Sequence, residues 1–211
     1  MNIIKNIILG IIVLVVVLAG IGMLLPSAYK VERSTVIQAP AEVVFDQVND
    51  LKKNEAWSPW KDPTMKITYG PITAGKGAVS SWESKDMGNG TQTIEESVPN
   101  QSIQTNLDFG KMGTAKAHWT FTPEGEGVKV TQGMTGDQGK NPVKRYFGLM
   151  MDKMIGGKFE AGLASLKQVS EARAAEIKTE QTATRQASAA PTDAAAPAAA
   201  ATPAVAPASA K

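Results

Sequence analysis

The chain has 211 residues, with 22 lysines and arginines against 20 acidic residues, one histidine and no cysteine. The formal net charge of +2 is small and the basic residues are scattered, so the charge pattern does not indicate a nucleic-acid partner. The lack of cysteine excludes disulfides, thiol catalysis and cysteine-ligated metals. Both ends are biased in composition, which leaves roughly 140 residues for one domain of usual size.

The N-terminal segment has the pattern of a membrane anchor. After a tail at residues 1–6, residues 7–25 include no polar side chain. As a helix this run is about 28 Å long, close to a hydrocarbon core of about 30 Å. The alternative is a cleaved secretory signal, whose apolar region is usually shorter, about 7 to 15 residues. We expect an uncleaved single-pass anchor with the following domain on the extracytoplasmic side, although basic residues flank both ends of the span.

A strand, a short helix and an aromatic segment follow the anchor. Residues 29–38 alternate and are rich in branched side chains, which predicts a strand that ends at Ala39-Pro40. Trp57 and Trp60 lie in a proline-containing segment with no regular period, where tryptophans form either a buried plug or a pocket entrance. A short helix is predicted between this strand and the aromatic segment. One face of the helix is expected to carry Val44, Phe45, Val48 and Leu51.

Six further strands are predicted between residues 65 and 136, separated by turns that contain glycine or proline. They cover residues 65–70, 77–85, 90–98, 102–110, 113–122 and 127–136. Alternation places apolar side chains on one face, as in an antiparallel sheet packed on one side. The residues assigned to this inner face are Ile103, Thr105, Leu107, Phe109, Ala115, Ala117, Trp119, Phe121, Val128, Val130, Gln132 and Met134.

One long amphipathic helix is predicted over residues 141–169. Asn141 suits the cap and Pro142 the first helical position, while Gly156-Gly157 predicts a bend or a break. A sheet followed by such a helix suggests a sheet curled around it. Residues 171–186 extend the helix, and residues 187–211 form an Ala/Pro-rich tail expected to be disordered. The apolar stripe consists of Val143, Phe147, Met150, Met154, Ile155, Phe159, Leu163 and Leu166.

Five stretches of the sequence stand out together: residues 25–51, 57–60, 77–84, 91–100 and 139–169. With the order of elements, they resemble the START-like superfamily with the helix-grip fold, also called SRPBCC or polyketide cyclase/dehydrase and lipid-transport-like proteins. The resemblance is closest to membrane-anchored bacterial members, which implies the bacterial inner membrane as the location.

The resemblance implies an α+β helix-grip domain at residues 29–170, with a seven-stranded antiparallel sheet wrapped around a long C-terminal helix. It also implies a cavity between sheet and helix that in relatives accepts lipids, sterols or polyketides. It supplies no established catalytic motif. Gly157 departs from the proline expected in this subfamily, which puts the rigidity of the helix at the cavity mouth in doubt.

The expected function is therefore non-catalytic binding of a hydrophobic small molecule or lipid beside a membrane, with no cofactor, no metal and no nucleic acid. Nine methionines against five phenylalanines fit such a cavity, because methionine adapts to irregular contents, but they also fit an ordinary core. The candidate cavity residues are Trp57, Trp60, Trp82, Ile94, Glu96, Thr105, Leu107, Trp119, Phe121, Gln132, Met134, Phe147, Met150, Met151 and Met154.

Two alternatives remain open. The first is an enzyme of the cyclase or dehydratase kind, which needs an inward glutamate as a general base. Glu83, Glu95 and Glu96 are the candidates, and simple alternation sends Glu95 and Glu96 to opposite faces. The only histidine, His118, has the outer parity, so a histidine-based catalytic site lacks its base. The second alternative is an interaction module that binds no ligand.

Overall fold

The computed structural model describes residues 2–189, and the side chains of residues 3–186. Met1–Glu176 form one compact unit. In the second unit, which starts at Ile177, residues 177–189 are helical. Of the tail predicted at residues 187–211, the first three residues are therefore helical, and residues 190–211 lie outside the described part of the chain.

Four α-helices and seven strands make up the described chain, in the order expected. The helices are α1 (Asn2–Leu24), α2 (Ala41–Asn49), α3 (Asn54–Trp57) and α4 (Pro142–Ala189), and Gly110–Met112 form a 3-10 turn. The strands are β1 (Ala28–Ile37), β2 (Lys66–Tyr69), β3 (Val79–Ser84), β4 (Gly88–Val98), β5 (Ser102–Asp108), β6 (Thr114–Glu124) and β7 (Gly127–Asp137). Because α1 begins at Asn2, residues 2–6 are helical.

The strands form one antiparallel sheet in the order β1-β7-β6-β5-β4-β3-β2, so the seven-stranded helix-grip prediction is confirmed. Strands β2 to β7 lie next to each other in chain order, whereas β1 pairs with the last strand, β7. The connection from β1 to the far edge at β2 passes through α2 and α3. These two helices therefore close one end of the inner face.

Two groups of buried side chains fill the space between the inner face and the helices. The main core includes residues of α2, α3, the sheet and the second half of α4, among them Ile37, Val44, Trp57, Ile94, Ile103, Trp119, Phe121, Val130, Leu163 and Leu166. The second cluster consists of buried Val31, Ala115, Met134 and Phe159, with partly buried Tyr29, Leu107, Phe109, Met151 and Ile155 around them. No residue of α2 or α3 belongs to the second cluster, so that end of the interior is less completely covered.

Helix α4 starts as the sequence predicts and then departs from the prediction. The Asn141 Oδ1 accepts hydrogen bonds from the backbone N–H groups of Val143 (3.0 Å) and Lys144 (3.3 Å), which makes Asn141 the cap. Of the bend or break predicted at Gly156-Gly157, the break is absent, because the helix is continuous from Pro142 to Ala189. The absence of a side chain at Gly156 lets the Arg33 guanidinium pack against the helix, because a Cβ there would lie 2.3 Å from that group.

Alanine substitutions at these two glycines are expected to differ in their effect on stability. Gly157 has nothing within 4 Å of a built Cβ, so Gly157→Ala should raise the free energy of unfolding by about 1 kcal/mol through helix propensity. Gly156→Ala should gain less or lose stability, because the new methyl group displaces the Arg33 guanidinium. Urea unfolding of both variants checks this, and equal gains would contradict the close packing at Gly156.

Candidate functional site between the sheet and helix α4

Two buried polar side chains, Gln132 and Thr105, lie on the inner face of the sheet between the two groups of buried residues. On β7, Gln132 lies between Val130 of the main core and Met134 of the second cluster. On β5, Thr105 likewise separates Ile103 from Leu107. Gln132 and Thr105 are 8% and 7% exposed. The interior is therefore apolar at both ends and contains a few polar groups between them.

The amide oxygen of Gln132 has no hydrogen-bond partner although it is buried. An unpaired buried acceptor costs about 1–3 kcal/mol, so it is expected to be kept for a reason. Gln92 provides the contrast on the same inner face, because its amide nitrogen donates to the buried Ser80 hydroxyl at 2.9 Å. The Gln132 oxygen is thus an unpaired acceptor on the inner face of the sheet, as the Ser170 hydroxyl is on α4.

Aromatic packing closes the end of the interior that lies under α2 and α3. The Trp57 ring meets the Trp119 ring edge to face with centroids 5.5 Å apart, and Phe45 meets Phe121 at the same distance. The Trp57 indole N–H donates to the Gln47 carbonyl at 3.1 Å. Trp57 is 5% exposed, so of the two readings left open by the sequence, the buried plug is the one found.

The opposite end of the interior is only partly covered. Trp82 and Phe109 meet edge to face with centroids 5.7 Å apart, and both are half-buried. Trp82 lies directly over Gly90, where a Cβ would come within 2.2 Å of the indole ring. Phe109 packs against the second cluster beside Leu107 and Met151. This end of the interior is therefore less covered than the end under α2 and α3.

Arg33 fastens the middle of α4 to the edge strand β1. Its guanidinium donates to both carboxylate oxygens of Asp152, at 2.9 and 3.1 Å, and to Glu160 Oε1 at 2.7 Å. The hydrogen bonds from Arg33 hold the pKa of Asp152 below its usual range. The sequence reasoning missed this residue. The signal was present, since a cation at the inner parity of β1 needs an anionic partner, and α4 offers two carboxylates eight residues apart.

Four residues assigned to the cavity lie elsewhere, as corrections to the sequence prediction. Trp60, Phe147, Met150 and Met154 are 37%, 54%, 52% and 56% exposed. In α4, Phe159 lies nine positions after Met150, and at about 100° per residue this offset puts them on opposite sides of the helix. The predicted stripe is really two stripes, because the step from Met154 to Ile155 rotates it by about 100°. Only the second stripe faces the sheet.

Glu96 is also wrongly assigned to the cavity. A β-bulge in β4 shifts the register between Ile94 and Glu96, so that Glu95 and Glu96 lie on the same, outer face. Glu95 accepts from Lys116 at 3.2 Å and Glu96 from Gln104 at 2.8 Å, and both partners are exposed outer-face residues. Glu83 is exposed as well and alternates with the inward Trp82. None of the three glutamates proposed as a general base points into the interior.

The remaining candidates lie in the interior, and a role in lining a ligand cavity stays a prediction for them. Trp57, Ile94, Thr105, Trp119, Phe121, Gln132 and Met134 are buried, and Trp82, Leu107 and Met151 are half-buried around the second cluster. Two open depressions, of about 470 and 340 Å³, are lined by sheet residues without any residue of α4. His118 lines the smaller one and bonds Glu32 at 2.8 Å, so it has the outer position that its parity predicts.

Helix α1 contacts the first turns of α4. The Arg145 guanidinium donates to the carbonyls of Met23 (2.5 Å) and Leu25 (2.9 Å), which otherwise lack partners at a helix C-terminus. The Tyr146 hydroxyl donates to the Leu18 carbonyl at 2.8 Å. Gly22 permits this approach, since a Cβ there would lie 2.8 to 2.9 Å from Pro142 and Tyr146. Residues 3–24 form the one helix in the described chain that is long and apolar enough to cross a membrane.

A family model described as polyketide cyclase / dehydrase and lipid transport matches residues 28–171, which include the whole sheet and the buried half of α4. The chain belongs to this family. The polyketide cyclase/dehydrase and lipid transport family has a fold that binds hydrophobic ligands, in agreement with the apolar interior described above. The match confirms the START-like, SRPBCC resemblance drawn from the sequence.

Known members and structural neighbours agree with this assignment. The ribosome association toxin RatA of Pseudomonas aeruginosa is 26% identical over 146 residues, covering 66% of this chain and 96% of RatA. The structure of a protein of unknown function, SA2116, from Staphylococcus aureus has a TM-score of 0.55 at 12% identity, over 69% of this chain and 95% of SA2116. Ara h 8.0201 matches with a TM-score of 0.50 at 11% identity, over 68% of this chain and 97% of its own. At such identities, the two structures show a shared fold.

Proposed function

We propose that this member of the polyketide cyclase/dehydrase and lipid transport family binds a hydrophobic small molecule or lipid between its sheet and α4, without covalent chemistry, while α1 anchors it in a bacterial inner membrane. The domain lies on the extracytoplasmic side. The observation that carries the binding proposal is the unpaired amide oxygen of Gln132 in an apolar interior. It fits an amphipathic guest that has an apolar body and one hydrogen-bond donor.

The two ends of the interior support a direction of entry. The main core is closed by α2 and α3, whereas the second cluster is surrounded by half-buried side chains. The second cluster contains Tyr29, which is the second residue of β1 and therefore close to the end of α1. A ligand taken from the membrane enters at this end, and its burial supplies affinity at about 25 cal/mol per Å² of apolar surface.

The enzyme alternative is less well supported. It requires an acidic side chain on the cavity wall, and the three glutamates considered for that role point outward or sit on the outer face. The inner-face cation Arg33 is paired with the carboxylates of Asp152 and Glu160. The buried polar groups Gln132 and Thr105 are neutral and do not exchange protons near neutral pH. They orient a ligand by hydrogen bonding.

Native mass spectrometry of the full chain, purified from its own membrane, tests the proposal directly. The expected result is a mass increment from a co-purifying lipid or other apolar molecule that is lost on extraction with organic solvent. A spectrum of the protein alone, together with no thermal stabilisation by added membrane lipid extract, would contradict the ligand-binding proposal and favour the module that binds no ligand.

Gln132→Met is expected to separate stability from binding. The substitution keeps the length of the side chain and removes the unpaired oxygen, so the free energy of unfolding without ligand should rise by about 1 kcal/mol. The fraction that retains the co-purifying molecule should fall several-fold. Urea unfolding and native mass spectrometry measure the two effects.

Gln92→Met is the matched control on the same face. It breaks the hydrogen bond to Ser80 and leaves a buried hydroxyl without that partner, so it should destabilise the protein by about 1 kcal/mol. If Gln132→Met destabilises the protein as Gln92→Met does, the Gln132 amide has an internal role and the proposed contact with a ligand is wrong.

A further inference from the structure

The first turns of α4 carry an apolar surface that nothing in the described chain covers. We call it the outer stripe. It consists of Val143, Phe147, Met150 and Met154, which are 63%, 54%, 52% and 56% exposed. Their spacing of four, three and four residues puts them on one face of the helix. Four large apolar side chains in one row on the surface mark an interaction site rather than the scattered exposure that is normal.

The contacts between α1 and α4 place this stripe at the level of the membrane surface. The Tyr146 hydroxyl bonds the carbonyl of Leu18, six residues before the end of α1, which is about 9 Å along the helix. Pro142 packs on Gly22, two residues before that end. With α1 in a bilayer, the beginning of α4 therefore lies where the hydrocarbon core meets the headgroups, and Tyr146 is a residue type that favours this boundary.

The charges around the outer stripe suit anionic headgroups. Lys140, Lys144 and Lys153 are exposed within or next to the same turns. The one acidic residue in the first three turns of α4, Asp152, is bonded to Arg33. An apolar face bordered by lysines on a helix is typical of segments that lie in the membrane interface.

We propose that the outer stripe docks the N-terminal part of α4 on the lipid bilayer, so that the domain is held against the membrane at two points, by the α1 span and by this face of α4. This inference rests on the anchoring part of the proposed function. The surface that covers the outer stripe is then a lipid leaflet that contains anionic lipids. It also keeps the less covered end of the interior next to the lipid phase.

Site-directed fluorescence tests the docking, because the natural chain has no cysteine. The full chain is reconstituted in vesicles of phosphatidylcholine and phosphatidylglycerol, with an environment-sensitive fluorophore on Met150→Cys. Val13→Cys in the middle of α1 reports anchoring, and Thr120→Cys is the solvent control. Thr120 is exposed and lies level with Ser34 of β1, because Thr131 of β7 pairs with both. Ser34 is six residues along β1 from Ala28, so Thr120 is about 20 Å further from α1 than the start of β1 is.

The expected result is a blue-shifted emission at residue 150, with quenching by spin-labelled lipids several-fold above that at residue 120. Quenching at residue 13 without quenching at residue 150 would overturn the docking and leave the anchor intact. Blue shift without lipid quenching at residue 150 would mean that a second copy or another protein covers the stripe, which also overturns it. Absence of quenching at residue 13 would refute the anchoring itself.

Discussion

Leu166→Ala is expected to lower the free energy of unfolding by about 2–5 kcal/mol, whereas Met150→Ala is expected to change it by less than about 0.5 kcal/mol. Leu166 is fully buried in the main core, so its truncation leaves a cavity among neighbours that cannot fill it. Met150 is half exposed on the opposite side of the same helix, and alanine there also favours the helical state.

Urea unfolding of the full chain in detergent, followed by far-UV circular dichroism, measures both changes. The pair tests whether α4 is divided into an outer stripe and an inner stripe. Similar losses for the two variants would mean that the whole stripe predicted from the sequence packs against the sheet. In that case, Met150 would line the interior, and the surface proposed for membrane docking would not exist.

The order and faces of the strands could be predicted because they depend on local patterns. Alternation identified the inner side chains of β5, β6 and β7, and the paired register confirms that Trp119 faces the same way as Gln132. The turn residues were also predicted correctly, since Gly110 and Gly125 have positive φ between strands and Gly88 has positive φ at the first position of β4. Each of these features is decided within a few residues of the chain.

The prediction that Glu95 and Glu96 lie on opposite faces was wrong, because simple alternation does not allow for a β-bulge. One extra residue in β4 between Ile94 and Glu96 brings two successive carboxylates to the outer face. A bulge depends on how the neighbouring strand fits, and β5 lies beyond a turn. The sequence therefore predicted that β4 exists, but it assigned the side chains after Ile94 to the wrong faces of the sheet. The bulge thus turns Glu96 away from the interior, where the enzyme alternative required a glutamate.

The long helix shows a different limit. Its sequence contains two apolar stripes, and periodicity alone does not say which of them meets the sheet. The contacts of Arg33 with Asp152 and Glu160 decide the question, because they turn that face of α4 toward β1. Those residues are more than a hundred positions apart in the chain. Long-range pairs of this kind cannot be read from one sequence, although an inward cation signals that one exists.

The site itself combines both situations. Gln132 and Thr105 could be chosen from parity, and they lie where an apolar interior needs its few polar groups. That the Gln132 oxygen has no partner, while the Gln92 nitrogen has one, follows only from the packed arrangement of several strands. The proposed ligand contact therefore comes from the structure, and the choice of residue from the sequence.

The second large effect is expected from Gly22→Leu, which should separate α1 from the first turn of α4. A side chain at this position would lie 2.8 Å from the Pro142 Cβ and 2.9 Å from the Pro142 carbonyl oxygen, and that backbone cannot move aside within a helix. The hydrogen bond from Tyr146 to Leu18 should be lost with the contact. Gly20→Leu is the matched control, because a Cβ there meets nothing within 4 Å.

Spin labels on Val13→Cys and Thr120→Cys measure the effect as a distance distribution between α1 and the sheet, in the full chain in lipid nanodiscs. With the native Gly22, or with Gly20→Leu, one narrow distribution is expected, since Arg145, Tyr146 and the Gly22 contact fix the angle between α1 and the sheet. Gly22→Leu should broaden it to the spread allowed by residues 25–27 alone. A broad distribution in the unsubstituted protein would instead show that α1 moves independently, and the membrane would then no longer hold α4 at a fixed height.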